Sequence, residues 1–232
     1  MDNSKNPSNV KSKTKRKHKK PKGMCSIICL ILGTPTFLYA TLATSVIFFV
    51  ISGVQFWASD YMRLALNIKE SIVFPAFSII SLTAPTLGWI VGGGLTAMFG
   101  GYDHPNAIKL ILYIGVIGAV VSLPIPFVDH TATFLFLFWL SLFFGGFIMP
   151  GLTGIIISSA PRKHKAIANS IAYVWYNMLG YVPGPLVYGV LTHYNGSKSN
   201  SGMIVLMYSL ILCLICICMT YRNIKEKPTI SE

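Results

Sequence analysis

Between Thr36 and Tyr221 the chain consists of six long apolar stretches separated by short polar breaks. Each stretch meets the length of about 20 apolar residues that a helix needs to cross a bilayer. Lipid offers no partner for a bare peptide group, so an apolar segment of this length has to close its hydrogen bonds within itself, as a helix. Six membrane-spanning helices and an all-α integral membrane fold follow. Composition agrees: 53% of the 232 residues are hydrophobic and 11% charged, against about 25% charged in soluble domains.

The first span is expected over 36–57 and a polar loop over 59–70. The second span, 72–99, contains Pro75, Pro85 and Gly92-Gly93-Gly94. A tight turn over 100–106 leads to a third span, 107–128, and 129–131 separates it from a fourth, 133–160. Pro161-Arg162-Lys163-His164-Lys165 is a basic turn before a fifth span, 166–191, and a sixth, 203–221. The division is a disordered basic tail over 1–23, an interfacial segment over 24–34 ending before Pro35, a six-helix domain over 35–221 and a short tail over 222–232. No internal repeat stands out, although two blocks of three helices remain open.

Net charge is +12, with nine lysine and arginine residues in the first 22 positions. Taken alone, Lys15-Arg16-Lys17-His18-Lys19-Lys20 is a nuclear-localisation or nucleic-acid pattern. Joined to membrane spans it fits anionic lipid at the cytosolic surface, and no nucleic-acid partner is expected. Cys25, just after it, is a palmitoylation candidate. Six spans put both termini on one side, with sixteen basic residues there and Arg63, Lys69 and Lys198 opposite. Basic residues concentrate on the cytosolic side, so both termini are expected in the cytosol. Plasma and endolysosomal membranes are not distinguished. Asn195-Gly196-Ser197, a glycosylation sequon, then falls outside.

No acidic residue lies deep in a span; Asp60, Glu70, Asp103 and Asp129 are at ends or in turns. A carboxylate proton relay at mid-membrane is therefore not supplied. Gln55, Asn169 and Asn177 are the deepest amides. Gln55 and Asn177 either bond a ligand or bond between helices, with Tyr173 and Trp175 as aromatic neighbours that line a pocket or face lipid. Trp57, Trp89 and Trp139 fit interface anchors or lipid-facing positions. Gly88 and Gly92 are four apart, as are Gly180 and Gly184, a spacing that lets helix backbones approach. Pro85, Pro124, Pro126, Pro150, Pro183 and Pro185 remove helix hydrogen bonds, which suits helices that bend or line a cavity.

The five cysteines sit in or beside apolar segments, so no disulfide framework is expected. Cys213-x-x-Cys216 reads as a redox or metal pair, or as two small apolar residues on a helix without the polar surroundings a metal needs. No cofactor and no metal are expected. Enzymatic readings fail on residues. The nearest sequence to an intramembrane serine nucleophile motif is Gly151-Leu-Thr-Gly154, with no histidine inside a span, and aquaporin Asn-Pro-Ala motifs are absent.

Several segments resemble a known family. The element order is similar to the C-terminal six-helix half of a major facilitator superfamily transporter. Gly53-Val-Gln-Phe-Trp-Ala-Ser-Asp60-Tyr, Leu82-Thr-Ala-Pro-Thr-Leu-Gly88, Ser158-Ser-Ala-Pro-Arg-Lys-His-Lys165 and Tyr176-Asn-Met-Leu-Gly-Tyr-Val-Pro183 resemble spinster-like members. The resemblance implies solute transport by alternating access rather than an enzyme, a second six-helix half as partner, and a small organic or amphipathic lipid-like solute. Gln55, Tyr173, Trp175 and Asn177 are then substrate-cavity candidates. Gly88, Gly92, Gly93, Gly100, Pro150, Gly180 and Gly184 are gating or helix-packing candidates. The family's Gly-x-x-x-Asp-Arg-x-Gly loop maps onto Gly93 to Gly100, with Ala97 and Met98 at the charged positions. The turn is kept and the gate's ion pair is not. A non-transporting membrane scaffold or remnant half that binds partners is the alternative.

Overall fold

A computed structural model describes residues 24–101 and 105–225, and the expected disordered basic tail lies outside them. All regular structure there is helical: α1 (Met24–Leu32), α2 (Pro35–Leu64), α3 (Glu70–Met98), α4 (Pro105–Ser122), α5 (Thr131–Ser158), α6 (Lys165–Tyr176), α7 (Pro183–Asn195) and α8 (Ser201–Lys225). Short 3-10 turns cover Ile125–Phe127 and Arg162–His164, and a π-helical stretch, Asn177–Tyr181, joins α6 to α7.

The ends follow local chemistry. Thr34 is extended and Pro35 opens α2; proline lacks the N–H that would be orphaned there and holds φ near its helical value. The α2 helix runs through half of the expected 59–70 loop and stops at Leu64, with Asn67 at φ 53° in the connection. Arg63 explains the polar residues carried on that extra turn: it contacts Asp60 at 3.1 Å and Glu70, the first residue of α3, at 2.8 Å. The α3 helix ends at Gly100, φ 97°. Gly100 N–H donates to Ala97 O and Gly101 N–H to Thr96 O, the double bond of a Schellman cap that needs a left-handed residue. Gly100 thus terminates a helix.

Five helices among the described residues are long and apolar enough to cross a membrane: α2, α3, α4 with its following turn, α5 and α8. The expected fifth span is α6, the π stretch and α7 in succession. Its interruption has a local cause. Pro183 and Pro185 lack N–H groups, and Val182 N–H reaches back five residues to Asn177 O at 3.0 Å, a π-type bond.

The α3 helix scarcely touches α2 or α4, its neighbours in sequence. The α3 helix packs chiefly on α5, and the α6–π–α7 run packs on α2. The α4 helix lies on α5, α8 lies on α2, and α2 meets α5 at the centre. The two blocks of three helices, 2-3-4 and 5-(6,7)-8, therefore exchange their middle helices. Each middle helix rests on the first helix of the other block.

Glycine pairs make that exchange possible, and they do so twice. A Cβ on Gly88 or Gly92 would strike the backbone of Phe143 or Phe147 in α5. One on Gly180 or Gly184 would strike the carbonyl of Ser45 or Phe49 in α2. Gly146 returns the contact from α5, where a Cβ would stand 2.6 Å from Pro85 O. Between lipid-facing helices such close packing replaces the hydrophobic drive available in water.

Burial grades the helices by position. In the apolar window of α2, 61% of residues are buried, against 22% in α3. The α2 helix is the axis of the bundle and α3 leaves a broad face uncovered. One core cluster joins Phe37, Ile108, Leu152, Ile155 and Ile217 near the α5–α6 turn. A second joins Val54, Met62, Phe134, Phe138 and Met203 near the other end.

Candidate functional site

A cavity of about 250 Å³ lies between α2, α3 and α5. Its polar positions are Gln55 on α2, Ser81 on α3 and Ser141 on α5; Trp89, Met149 and other apolar residues complete the wall. Two prolines shape its acceptor pattern. Pro85 and Pro150 cannot donate to the carbonyls four residues earlier. Those carbonyls belong to Ser81 and Gly146, both in the cavity wall. An apolar pocket with a few polar groups is the usual form of a small-molecule site.

Gln55 Oε1 accepts a hydrogen bond from Tyr181 Oη at 3.3 Å. The bond ties α2 to the end of the π stretch at the cavity rim. Ser141 Oγ lies 2.6 Å from Ser122 Oγ of α4, which is also 2.6 Å from Gly118 O. These buried hydroxyls are mutually satisfied and leave the cavity mostly apolar.

The four cavity candidates are not brought together. Gln55 lines the cavity. Asn177 is the first residue of the π stretch, and its Nδ2 donates to Tyr173 O at 2.7 Å. That amide serves its own helix, a third use beside ligand binding and interhelical bonding. Tyr173 is exposed, its ring edge-on to Tyr176 with centroids 5.2 Å apart. Trp175 lines a different depression, an apolar groove between α1 and α6.

A Cβ added to Gly93 would stand 3.8 Å from Pro150, an ordinary contact, so a side chain is tolerated at this point where α3 faces α5. Ala97 and Met98, at the charged positions of the loop motif, are exposed on the last turn of α3. Asn195 is exposed at the end of α7, beside Gly196 at φ 88°.

Trp57 and Trp139 are helix-to-helix fasteners, although their position in the sequence suits membrane-interface anchors. Trp57 Nε1 donates to Pro185 O at 3.0 Å, and its ring stacks on Tyr188. Trp139 Nε1 donates to Thr83 Oγ1 at 3.0 Å. Ser81 and Ser141 join the cavity wall without a signal of their own, and Trp89, which by sequence suits an interface anchor or a lipid-facing position, lines it as well. Pro85 within an apolar run, four residues after Ser81 and four before Trp89, was the available signal.

Among the described residues no group of three histidine, cysteine or acidic side chains could hold a metal. Cys213 and Cys216 are buried in α8, and Cys213 Sγ is 3.6 Å from Ala43 O, against α2.

The exchanged six-helix arrangement is that of a major facilitator transporter half. Two crystal structures of a bacterial homologue to the human lysosomal transporter Spinster share it. The inward-facing, unoccupied form superposes with a TM-score of 0.68 at 10% identity, over 88% of this chain and 51% of that one. The inward-facing, occupied form gives 0.64 at 11%, over 86% and 52%. The chain thus spans about half the length of the solved structures it matches. The resemblance to a spinster-like major facilitator is borne out in the fold. In sequence, the model of the Organic Anion Transporter Polypeptide (OATP) family matches residues 1–130, and the chain belongs to that family. No curated protein matches it.

Proposed function

We propose that this chain is the C-terminal half of an alternating-access transporter and contributes one wall of the pathway for an amphipathic organic solute. The family's name points to an organic anion. A lysophospholipid or sphingoid base, suggested by the likeness to the spinster fold, is the competing substrate. The observation that carries the reading is the cavity between α2, α3 and α5, which places Gln55, Ser81 and Ser141 in an otherwise apolar wall. Asp60, Glu70 and Asp129, the acidic residues within the described segments, are not in that wall, so an anion meets no like charge there.

The partner is a second six-helix half, covering the apolar faces of α3 and of the α6–π–α7 run. Leu82, Ile90, Met178 and Leu186 are exposed on these faces. Both termini are cytosolic in this reading. Among the described residues Lys109, Arg162, Lys163, Lys165, Arg222 and Lys225 lie at one end of the bundle, as the positive-inside rule requires. The α1 helix then lies at the inner interface, and Asn195 faces outward as a glycosylation acceptor. Gly93–Pro150 is the crossing at which α3 and α5 would move against each other, and Tyr173 faces the second half.

The test is uptake by proteoliposomes holding the complete transporter, with a labelled amphipathic organic anion and a labelled lysophospholipid in parallel. Gln55→Ala should lower uptake of the preferred solute several-fold without lowering the amount of protein in the membrane. Asn177→Ala should act through helix geometry and lower it less. Unchanged uptake in Gln55→Ala removes this cavity from the pathway.

A further inference from the structure

The described acidic residues are confined to one end of the bundle, whereas lysine and arginine occur at both. The acidic residues Asp60, Glu70 and Asp129 stand at the end of the bundle where α2 finishes and α3 and α5 begin. At the opposite end stand six lysine and arginine residues and no described acid. Ion pairs among the described residues engage Arg63 with Asp60 and Glu70, so Arg162, Lys163 and Lys165 are without an acidic partner there. Three cations within four positions, at a membrane surface and with no acidic partner among the described residues, attract an anion.

A groove begins where that turn ends. Lys165 is the first residue of α6, and the groove is walled by Ala166, Ser170 and Trp175 of α6 and by Ile28 and Leu32 of α1. It has a volume of about 550 Å³ and opens widely to its surroundings. Its direction runs from the basic turn along α6 toward mid-membrane, as the succession 166, 170, 174 requires of one helix face.

We propose that this groove is a binding site for an anionic phospholipid, with an acyl chain between α1 and α6 and the phosphate on Arg162, Lys163 and Lys165. The pairing of an apolar trough with an adjacent cluster of cations fits that amphipath. A zwitterionic lipid fits the trough but gains less from the cations, and the basic segment before α1 is repelled by them. The site is separate from the α2–α3–α5 cavity and does not rest on the transport reading.

The full chain, purified into nanodiscs of equal palmitoyl-oleoyl phosphatidylcholine and phosphatidylglycerol, is released into a native mass spectrometer and its retained lipids are counted. Phosphatidylglycerol should be retained over phosphatidylcholine. The variant Arg162→Gln/Lys163→Gln/Lys165→Gln should lose that preference by about tenfold, since each lysine or arginine near an anionic surface contributes substantially. Ser170→Trp, which fills the trough and leaves the charge alone, should reduce retention similarly. Lys69→Gln at the other end should not. A photoreactive phosphatidylglycerol should label α1 and α6 peptides, which reports on the site even if a variant folds poorly. Equal retention of both lipids by the native chain overturns the proposal. So does labelling spread over α3 and α8, or a second copy or residues 1–23 crosslinked in the groove. Competition by free glycerol phosphate as strong as by the lipid overturns it as well, in favour of a headgroup-only anion site.

Discussion

Tyr181 Oη donates to Gln55 Oε1 across 3.3 Å and so fastens the π stretch between α6 and α7 to the central helix of the bundle. Tyr181→Phe removes the donor and leaves the ring. Burial is incomplete on both sides, so the bond is worth about 0.6 kcal/mol, the mean for polar contacts between membrane helices. The thermal midpoint should fall by a few degrees at most, while solute affinity changes, because Gln55 is released toward the cavity. A double-mutant cycle with Gln55→Ala checks it: the two effects on uptake should be non-additive.

Gly92 and Gly94 should respond oppositely to alanine. At Gly92 the new methyl meets the backbone of Phe147, which cannot rotate away; α3 must separate from α5, at about 1–3 kcal/mol or more. Nothing lies within 4 Å of the same atom on Gly94. Alanine there gains up to about 1 kcal/mol of helix propensity. Thermal unfolding in detergent, followed by circular dichroism, should separate the two variants by many degrees.

Trp139→Phe keeps a ring against Phe143, whose centroid is 5.5 Å away, but deletes the bond to Thr83. The loss should be about 0.6 kcal/mol, and Thr83→Val should cost less in the presence of Trp139→Phe than it costs alone. Equal costs would mean that Trp139 acts through packing instead.

Thr41 Oγ1 is buried in α2 without a hydrogen-bond partner among the described residues. A buried unsatisfied polar group costs about 1–3 kcal/mol, and valine has nearly the same shape. Thr41→Val should therefore raise the unfolding midpoint, in contrast to Thr44→Val, whose native hydroxyl donates to Ala40 O at 2.9 Å. A fall in midpoint for Thr41→Val would show that water or a moving helix satisfies the group.

Much of the architecture was legible because a bilayer leaves few options. Apolar length alone marks the helices, since a spanning chain must satisfy its own peptide groups. The placement of Asp60, Glu70 and Asp129 at helix ends follows from the cost of burying charge. The paired glycines at 88, 92, 180 and 184 announced close approach, because only an absent side chain permits it.

Which helix each glycine approaches was not written locally. That α3 crosses to α5 and the α6–π–α7 run to α2 is a matter of non-adjacent packing, which spacing along one helix does not encode. The same holds for Gln55: its amide was visible as an oddity in an apolar run, but Tyr181, 126 positions away, is its partner only in three dimensions. Asn177 shows the converse, an amide whose partner is its own helix's carbonyl. Composition decided that the chain enters lipid as helices, because the transfer energetics of each segment are local. Tertiary structure decided where those helices leave space, because a cavity is defined by what fails to fill it.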